Sequence, residues 1–314
     1  MGEHRSTPIS VRRPQQEAAR RAGATRDRSA LGVSHTVYNG TSLAWAMWSG
    51  STVMGSVGTA PPVFRGRTRN TPADPEVPSV TTAAPRRLAS ERQSVMKIGI
   101  IGAGNIGGNL TRRLTALGHD VSVANSRGPH TLTALAEETG AKPVAVGEAA
   151  RGAQVVVVTV PLKAVPDLPA GFLDGAAEDV AVIDTGNYYP QQRDGRIAEI
   201  EEGLTESRWT ERQIGHPVIK AFNGTYAQDI LDKPLPKGAP GRVALPVSGD
   251  DEAAKKVVRD LIDELGFDTV DNGGQDESWR QQPGTPVYGN TGGTDEIRKA
   301  LDAASPERTA EWRA

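Results

Sequence analysis

Three glycines and one arginine carry the chemistry that is plainest in this chain. The glycines fall at 102, 104 and 107 in the run MKIGIIGAGNIG (96–107), directly after a short apolar stretch over 97–101. Gly102 permits a sharp turn, Gly104 lets the backbone come close to a pyrophosphate, and Gly107 lets the next helix lie tightly on the strand. The amides that open that helix then face an anion. A glycine-rich turn without a ligand is the plainer alternative. Against it stand the strand in front and the helical spacing of Ile106, Leu110, Leu114 and Leu117 behind, stopped by Gly118.

The arginine lies after the second strand, 121–124. Where a unit for NAD would place Asp or Glu on the ribose hydroxyls, this chain has Asn125, Ser126 and Arg127, and Asp120 precedes the strand at its wrong end. A 2′-phosphate needs a guanidinium fork, a hydroxyl donor and no carboxylate to repel it. The reading is therefore NADP(H) over NAD(H), with a solvated loop arginine as the alternative.

These residues need elements to hold them, and the pattern supplies strands alternating with helices. A helix is predicted over 130–138, with Thr131 in its first turn, and strands over 142–146 and 155–160. The second of these, VVVVTV, lacks alternation, the mark of a strand buried on both faces. It ends in Val160, Pro161 and Leu162, which should line the cofactor because ligands of such sheets lie beyond the carboxyl ends of the strands. A fifth strand over 180–183 runs into DTGNYYP (184–190), and a sixth over 218–222 into Asn223, Gly224, Thr225 and Tyr226, both on the same rim. The charges between 199 and 212 read as a solvated helical face. Residues 233–241 must be loop. A strand over 242–247, a helix starting at Asp250 with the stripe Val257, Val258, Leu261, Ile262 and Leu265, a strand over 267–270 and a helix over 297–304 complete the chain. The expected fold is α/β: a Rossmann-type doubly wound parallel sheet over 96–223, a small C-terminal α/β extension over 224–314 that completes the substrate cleft, and a disordered N-terminal tail over 1–95.

Composition separates that tail from the rest. Residues 1–95 have no lysine, 13 arginines and 6 acidic residues, whereas 96–314 have 23 basic against 32 acidic, so a formal total of −2 hides +7 and −9. Rich in Pro, Ser, Thr, Gly and Arg, the tail cannot bury enough apolar surface to offset the entropy of ordering. Met96 is a candidate translation start, and the tail then an over-extended gene start. The run 43–48 is too short to span a membrane. An acidic folded part excludes nucleic acid as partner. With no cysteine, and five histidines scattered at 4, 35, 119, 130 and 216, no metal site is expected. A cytoplasmic homo-oligomer acting on a small redox molecule is the expectation.

Taken in order, IGIIGAGNIGGNL (98–110), ANSRGP (124–129), VVVVTVPLKA (155–164), DTGNYYPQQRDG (184–195), VIKAFN (218–223), LPVSGDDEAAKKVV (245–258) and LGFDTVDNG (265–273) resemble the NADPH-dependent reductases of the deazaflavin coenzyme factor 420, a domain also found in ferric reductases of animal membranes. The resemblance implies a compact Rossmann domain binding NADP, with Ala103, Gly104, Asn105 and Ile106 at the pyrophosphate. It implies Ser126, Arg127 and Thr131 at the 2′-phosphate and Val160, Pro161 and Leu162 toward the nicotinamide. The deazaflavin would stack near Phe222, Asn223 and Gly224. DTGNYYP and KAFNGTY depart from the better-known members.

Hydride transfer between two cofactors asks that the rings lie face to face, with reacting carbons about 3–3.5 Å apart. No acid–base residue is then obligatory, and a cleft walled by Pro161, Phe222 and Asn223 without a catalytic dyad is expected. A dehydrogenase or imine reductase for a small carbonyl or imino compound is the rival. It needs a proton donor, for which Lys220 with Asn223 would be the choice among Lys163, Tyr188, Tyr189, His216 and Lys220 on the rim. A non-catalytic NADP(H)-binding redox sensor is the third reading.

Overall fold

Lys97–Ile101 (β1) is buried from its second residue onward and pairs in parallel with Asp120–Ala124 (β2) on one side and Val155–Val158 (β4) on the other. The computed structural model of the chain describes residues 94–314. The expected disordered tail and translation start concern 1–95, of which 1–93 lie outside the described residues. Lys142–Pro143 (β3), Ala181–Asp184 (β5) and Ile219–Lys220 (β6) extend the sheet to six parallel strands in the order β3-β2-β1-β4-β5-β6. That is the doubly wound arrangement, whose order reverses between β1 and β4. Asn105–Ala116 (α1) returns the chain from β1 to β2, and Thr133–Thr139 (α2), after a 3₁₀ turn at Pro129–Leu132, from β2 to β3. All four valines of β4 and all of β5 are buried, as unbroken apolar runs in a sheet covered on both faces require.

Three strands of the large sheet are shorter than expected: β4 ends at Val158 and not at 160, and β3 and β6 are each cut to two residues. β3 is an edge strand whose Pro143 turns the side without an N–H away from β2; the Val144 N–H still donates to the Val123 carbonyl at 3.0 Å before a 3₁₀ turn begins at Val146. β6 stops because the chain turns at Phe222, which takes a left-handed φ of 63°.

Three short helices flank β6 in the chain: Ala198–Glu201 (α3) and Glu206–Ile214 (α4) before it, the latter against the 3₁₀ segment Leu162–Asp167, and Asp229–Asp232 (α5) after it, against α1. A parallel pair follows, Ala244–Val247 (β7) and Asp268–Asp271 (β8), joined by Glu252–Leu265 (α6) and packed against Thr294–Asp302 (α7). The pair is tied to the edge of the large sheet by one antiparallel bridge, Lys220 to Ser248. α6 starts two residues later than its charge pattern implies because Asp251 turns its carboxylate onto the amides of Ala253 and Ala254, at 2.9 and 3.0 Å. Val258, Leu261, Ile262 and Leu265 of α6 share one apolar cluster with Ile98 and Ile100 of β1.

The charged stretch between 199 and 212 is not uniformly solvated. Glu199, Glu202 and Arg212 are exposed, but the side chain of Glu206 is only 1% exposed. Its carboxylate lies 3.6 Å from the ammonium of Lys220 and 2.9 Å from the guanidinium of Arg308. Lys220, itself 1% exposed, donates to the carbonyl of Gly186 at 2.5 Å and lies 3.5 Å from Asp184, which also accepts the Ser207 hydroxyl. Carboxylate, ammonium, carboxylate and guanidinium thus alternate through the interior from β5 to the last segment of the chain. Sequence periodicity could not reveal this, because Glu206 is charged and begins a helix, where solvent is the usual neighbour. Removing one member leaves buried charge uncompensated. Lys220→Met should therefore cost about 3–5 kcal/mol, read as a lowered midpoint in urea unfolding; an unchanged midpoint would deny the network its structural role.

Candidate functional site

Each of the three glycines at the end of β1 meets a different constraint. Gly102 has φ of 109°, and a Cβ there would lie 2.2 Å from the carbonyl oxygen of Thr159, beside β4. At Gly107 a Cβ would lie 1.9 Å from the carbonyl oxygen of Gly102, so α1 can approach β1 this closely only without a side chain. At Gly104, by contrast, φ is an ordinary −76° and a Cβ would meet nothing within 4 Å. The first and third glycines are demanded by the fold, and the second leaves a bare backbone facing open space. Gly104 is also the N-cap of α1, and no side chain caps the helix. The positive end of the helix dipole is thus left for an anion. Of the residues around it, Ala103 and Ile106 pack partly against the core and Asn105 is exposed.

The tip of β2 is organised by Asn125. Its amide oxygen accepts the Arg127 N–H at 3.0 Å, and its amide nitrogen donates to the Thr131 hydroxyl at 2.9 Å, which in turn donates to the carbonyl of Gly128 at 2.8 Å. This turn leaves Ser126 and Arg127 exposed, and the guanidinium pairs with no carboxylate among the described residues. Asp120, the nearest acid in sequence, sits at the opposite end of the strand and pairs with Lys142 at 2.7 Å.

At the end of β4, Val160 is half-buried and Pro161 exposed, but Leu162 is fully buried with Val165, Tyr188, Ile200 and Trp209. Only the first two residues of that turn offer side chains to the rim. Beyond β6, Phe222 sends its ring into the core at 3% exposure. The amide of Asn223 is taken up by Asn187 at 3.1 Å and by Gln281 at 2.6 and 3.0 Å. Gly224 accepts the Gly289 N–H at 3.1 Å. Phe222 and Asn223 therefore brace the rim from behind and do not wall a cleft with their side chains, because the left-handed turn at Phe222 rotates the ring inward.

Sequence patterning missed a cluster on the loop after β5. The hydroxyls of Tyr189 and Tyr288 share a short hydrogen bond, the Arg193 guanidinium stands 4.8 Å over the Tyr189 ring, and Trp312 lies 5.9 and 6.3 Å from the two phenol rings. Burial, reinforced by the Tyr288 hydroxyl, holds the Tyr189 phenol well above its ordinary pKa and keeps it neutral. Residues 99 and 123 positions apart in sequence meet here, and no local spacing signals that. Among the described residues, no group of three or more His, Cys, Asp or Glu could hold a metal ion, and no helix is long and apolar enough to cross a membrane.

Known proteins share this arrangement. The family described as NADP oxidoreductase, coenzyme F420-dependent, matches residues 97–188, from the first residue of β1 to Tyr188. The solved structure of a hypothetical protein, SMa0349 from Sinorhizobium meliloti, is 30% identical; the match covers 63% of this chain and 94% of that one with a TM-score of 0.54. A solved structure from Arthrobacter sp. FB24, described as an F420-dependent NADP-reductase, is 25% identical over 57% of this chain and 85% of its own, with a TM-score of 0.48. Among curated proteins, YjhV of Escherichia coli K12 is 52% identical over 54 residues, 17% of this chain and 39% of its own length. The chain spans well under half the length of the curated relatives it matches. Over residues 97–188, which hold the glycine turn and the first five strands of the sheet, the chain belongs to the family of coenzyme F420-dependent NADP oxidoreductases.

Proposed function

We propose that this protein transfers a hydride between NADP(H) and a planar redox acceptor, a deazaflavin of the factor-420 class or a flavin. The single observation that carries the proposal is the pairing of an open, uncapped glycine backbone at Gly104 with an exposed Arg127 that meets no carboxylate among the described residues, at the tip of β2. The amides from Gly102 to Gly107 would take the pyrophosphate, Ser126 and Arg127 the 2′-phosphate on a turn that Thr131 braces through Gly128 and Asn125, and Val160 and Pro161 the nicotinamide face. NADPH supplies the hydride; the chain's own residues grip its phosphates, exclude water and hold the ring at the rim. Leu162 fits a supporting role beneath that ring, since it is fully buried.

A second reading, reduction of a small carbonyl or imino compound, needs a proton donor. The hydroxyl pair Tyr189–Tyr288 is the candidate donor, though burial raises the pKa of the Tyr189 phenol and so weakens it as an acid. Lys220 does not serve, because its ammonium is spent inside the buried charge network. Mixing the purified protein with NADPH and factor 420, flavin or a small imine in turn, and following nicotinamide absorbance, separates the two. Oxidation by the planar acceptors supports the first reading, oxidation by the imine alone the second, and binding without oxidation a sensor.

Two substitutions test cofactor binding. Arg127→Ala should lower the ratio of NADPH to NADH kcat/KM by about tenfold to a hundredfold, as loss of hydrogen bonds to a charged group implies; an unchanged ratio would put the 2′-phosphate elsewhere. Gly104→Ala should weaken NADPH binding in a fluorescence titration while leaving Tm unchanged, because its new methyl enters only the ligand's space. Gly107→Ala should instead lower stability by about 1–3 kcal/mol or more, through a clash inside the protein.

A further inference from the structure

The aromatic residues of the rim divide sharply. Tyr188 and Phe222 have their rings in the interior, and Tyr189 is enclosed by Tyr288, Arg193 and Trp312. Tyr226 is different: it is 62% exposed, six residues beyond the carboxyl end of β6.

Its mount is rigid. The Thr225 N–H donates to the Phe222 carbonyl at 3.2 Å, and the Tyr226 carbonyl accepts the Asp229 N–H at 3.0 Å. One residue on, the Ala227 carbonyl accepts the side-chain amide of Asn109 at 2.7 Å. Asn109 lies one turn into α1, the helix whose N-cap is Gly104. The phenol end of the ring lies against Gly289, where a Cβ would come within 2.9 Å of the hydroxyl, and Gly289 is itself tied to Gly224. Tyr226 is therefore held on the loop that follows β6, one residue from that loop's hydrogen bond to α1. The ring rests its hydroxyl end on Gly289 and leaves most of its surface in solvent, so part of an aromatic face is open to a planar partner.

We propose that Tyr226 is the stacking platform for the planar ring of the acceptor, in the role that Phe222 was expected to fill. The inference rests on the hydride-transfer reading above. A flat conjugated ring gains from the phenol face by dispersion and quadrupole complementarity, whereas a small aliphatic imine or carbonyl compound offers no such face. Tyr226 is thus a specificity-determining residue that acts on the acceptor and not on the nucleotide.

The test uses the full chain with NADPH and factor 420 or FMN in steady-state assays. Tyr226→Ala should raise KM for the acceptor by about three- to tenfold, with KM for NADPH and Tm unchanged, and Tyr226→Phe should restore the acceptor KM. An unchanged acceptor KM in Tyr226→Ala, or an equal rise in both KM values, overturns the inference while wild-type turnover keeps the hydride-transfer reading standing. Absence of turnover by the wild type with both planar acceptors overturns that reading, and this inference with it.

Discussion

The approach of α1 to β1, closer than any side chain would allow, is the constraint on which the cleft depends. Gly107 has its would-be Cβ position 1.9 Å from the Gly102 carbonyl, and Gly102 in turn abuts Thr159 at the end of β4. Three elements are thus fixed against each other by contacts that only hydrogen atoms fit. The consequence appears between them, at Gly104, which is under no such pressure and whose backbone is left facing outward. Tight packing at two positions creates availability at the third, which is how a binding surface arises without any side chain devoted to it.

A second constraint works from the other end of the chain. The alternating charges of Asp184, Lys220, Glu206 and Arg308 link the loop after β5 to the segment that also carries Trp312. Gln191 adds two hydrogen bonds, both at 3.0 Å, to the carbonyls of Ala310 and Arg313. The loop Asp184 to Pro190 is therefore held between an interior ionic chain and an aromatic cover. Such buried ion pairs stabilise little over apolar residues of the same volume, yet they tolerate no single deletion. Geometry at the rim is specified by them more than strengthened.

What could be read from the residues followed the physics that is local. β1, the glycine turn and α1 were legible because strand, turn and helix each leave a signature within a few positions, and VVVV in β4 because burial on both faces removes alternation. The stripe of α6 was legible for the same reason, with its start displaced only by the capping of Asp251. Phe222 and Glu206 were not legible. An aromatic at a strand end looks like a ligand wall until the backbone turns left-handed, and a glutamate opening a helix looks solvated until a lysine 14 positions later and an arginine near the far end converge on it. Tyr189, Tyr288 and Trp312 likewise meet only in three dimensions.

The backbone at Phe222 has one further consequence. Holding a phenylalanine at φ of 63° costs about 1–2 kcal/mol, while burying its ring returns about 1.5–3 kcal/mol. The ring is thus a counterweight: its attraction to the interior keeps the peptide in a shape it would otherwise relax out of, and that shape sets the heading on which Gly224 to Tyr226 leave the sheet. A glycine at 222 would be comfortable with the angle but would no longer enforce it, so the outer lip would be expected to wander although every residue on it was unaltered.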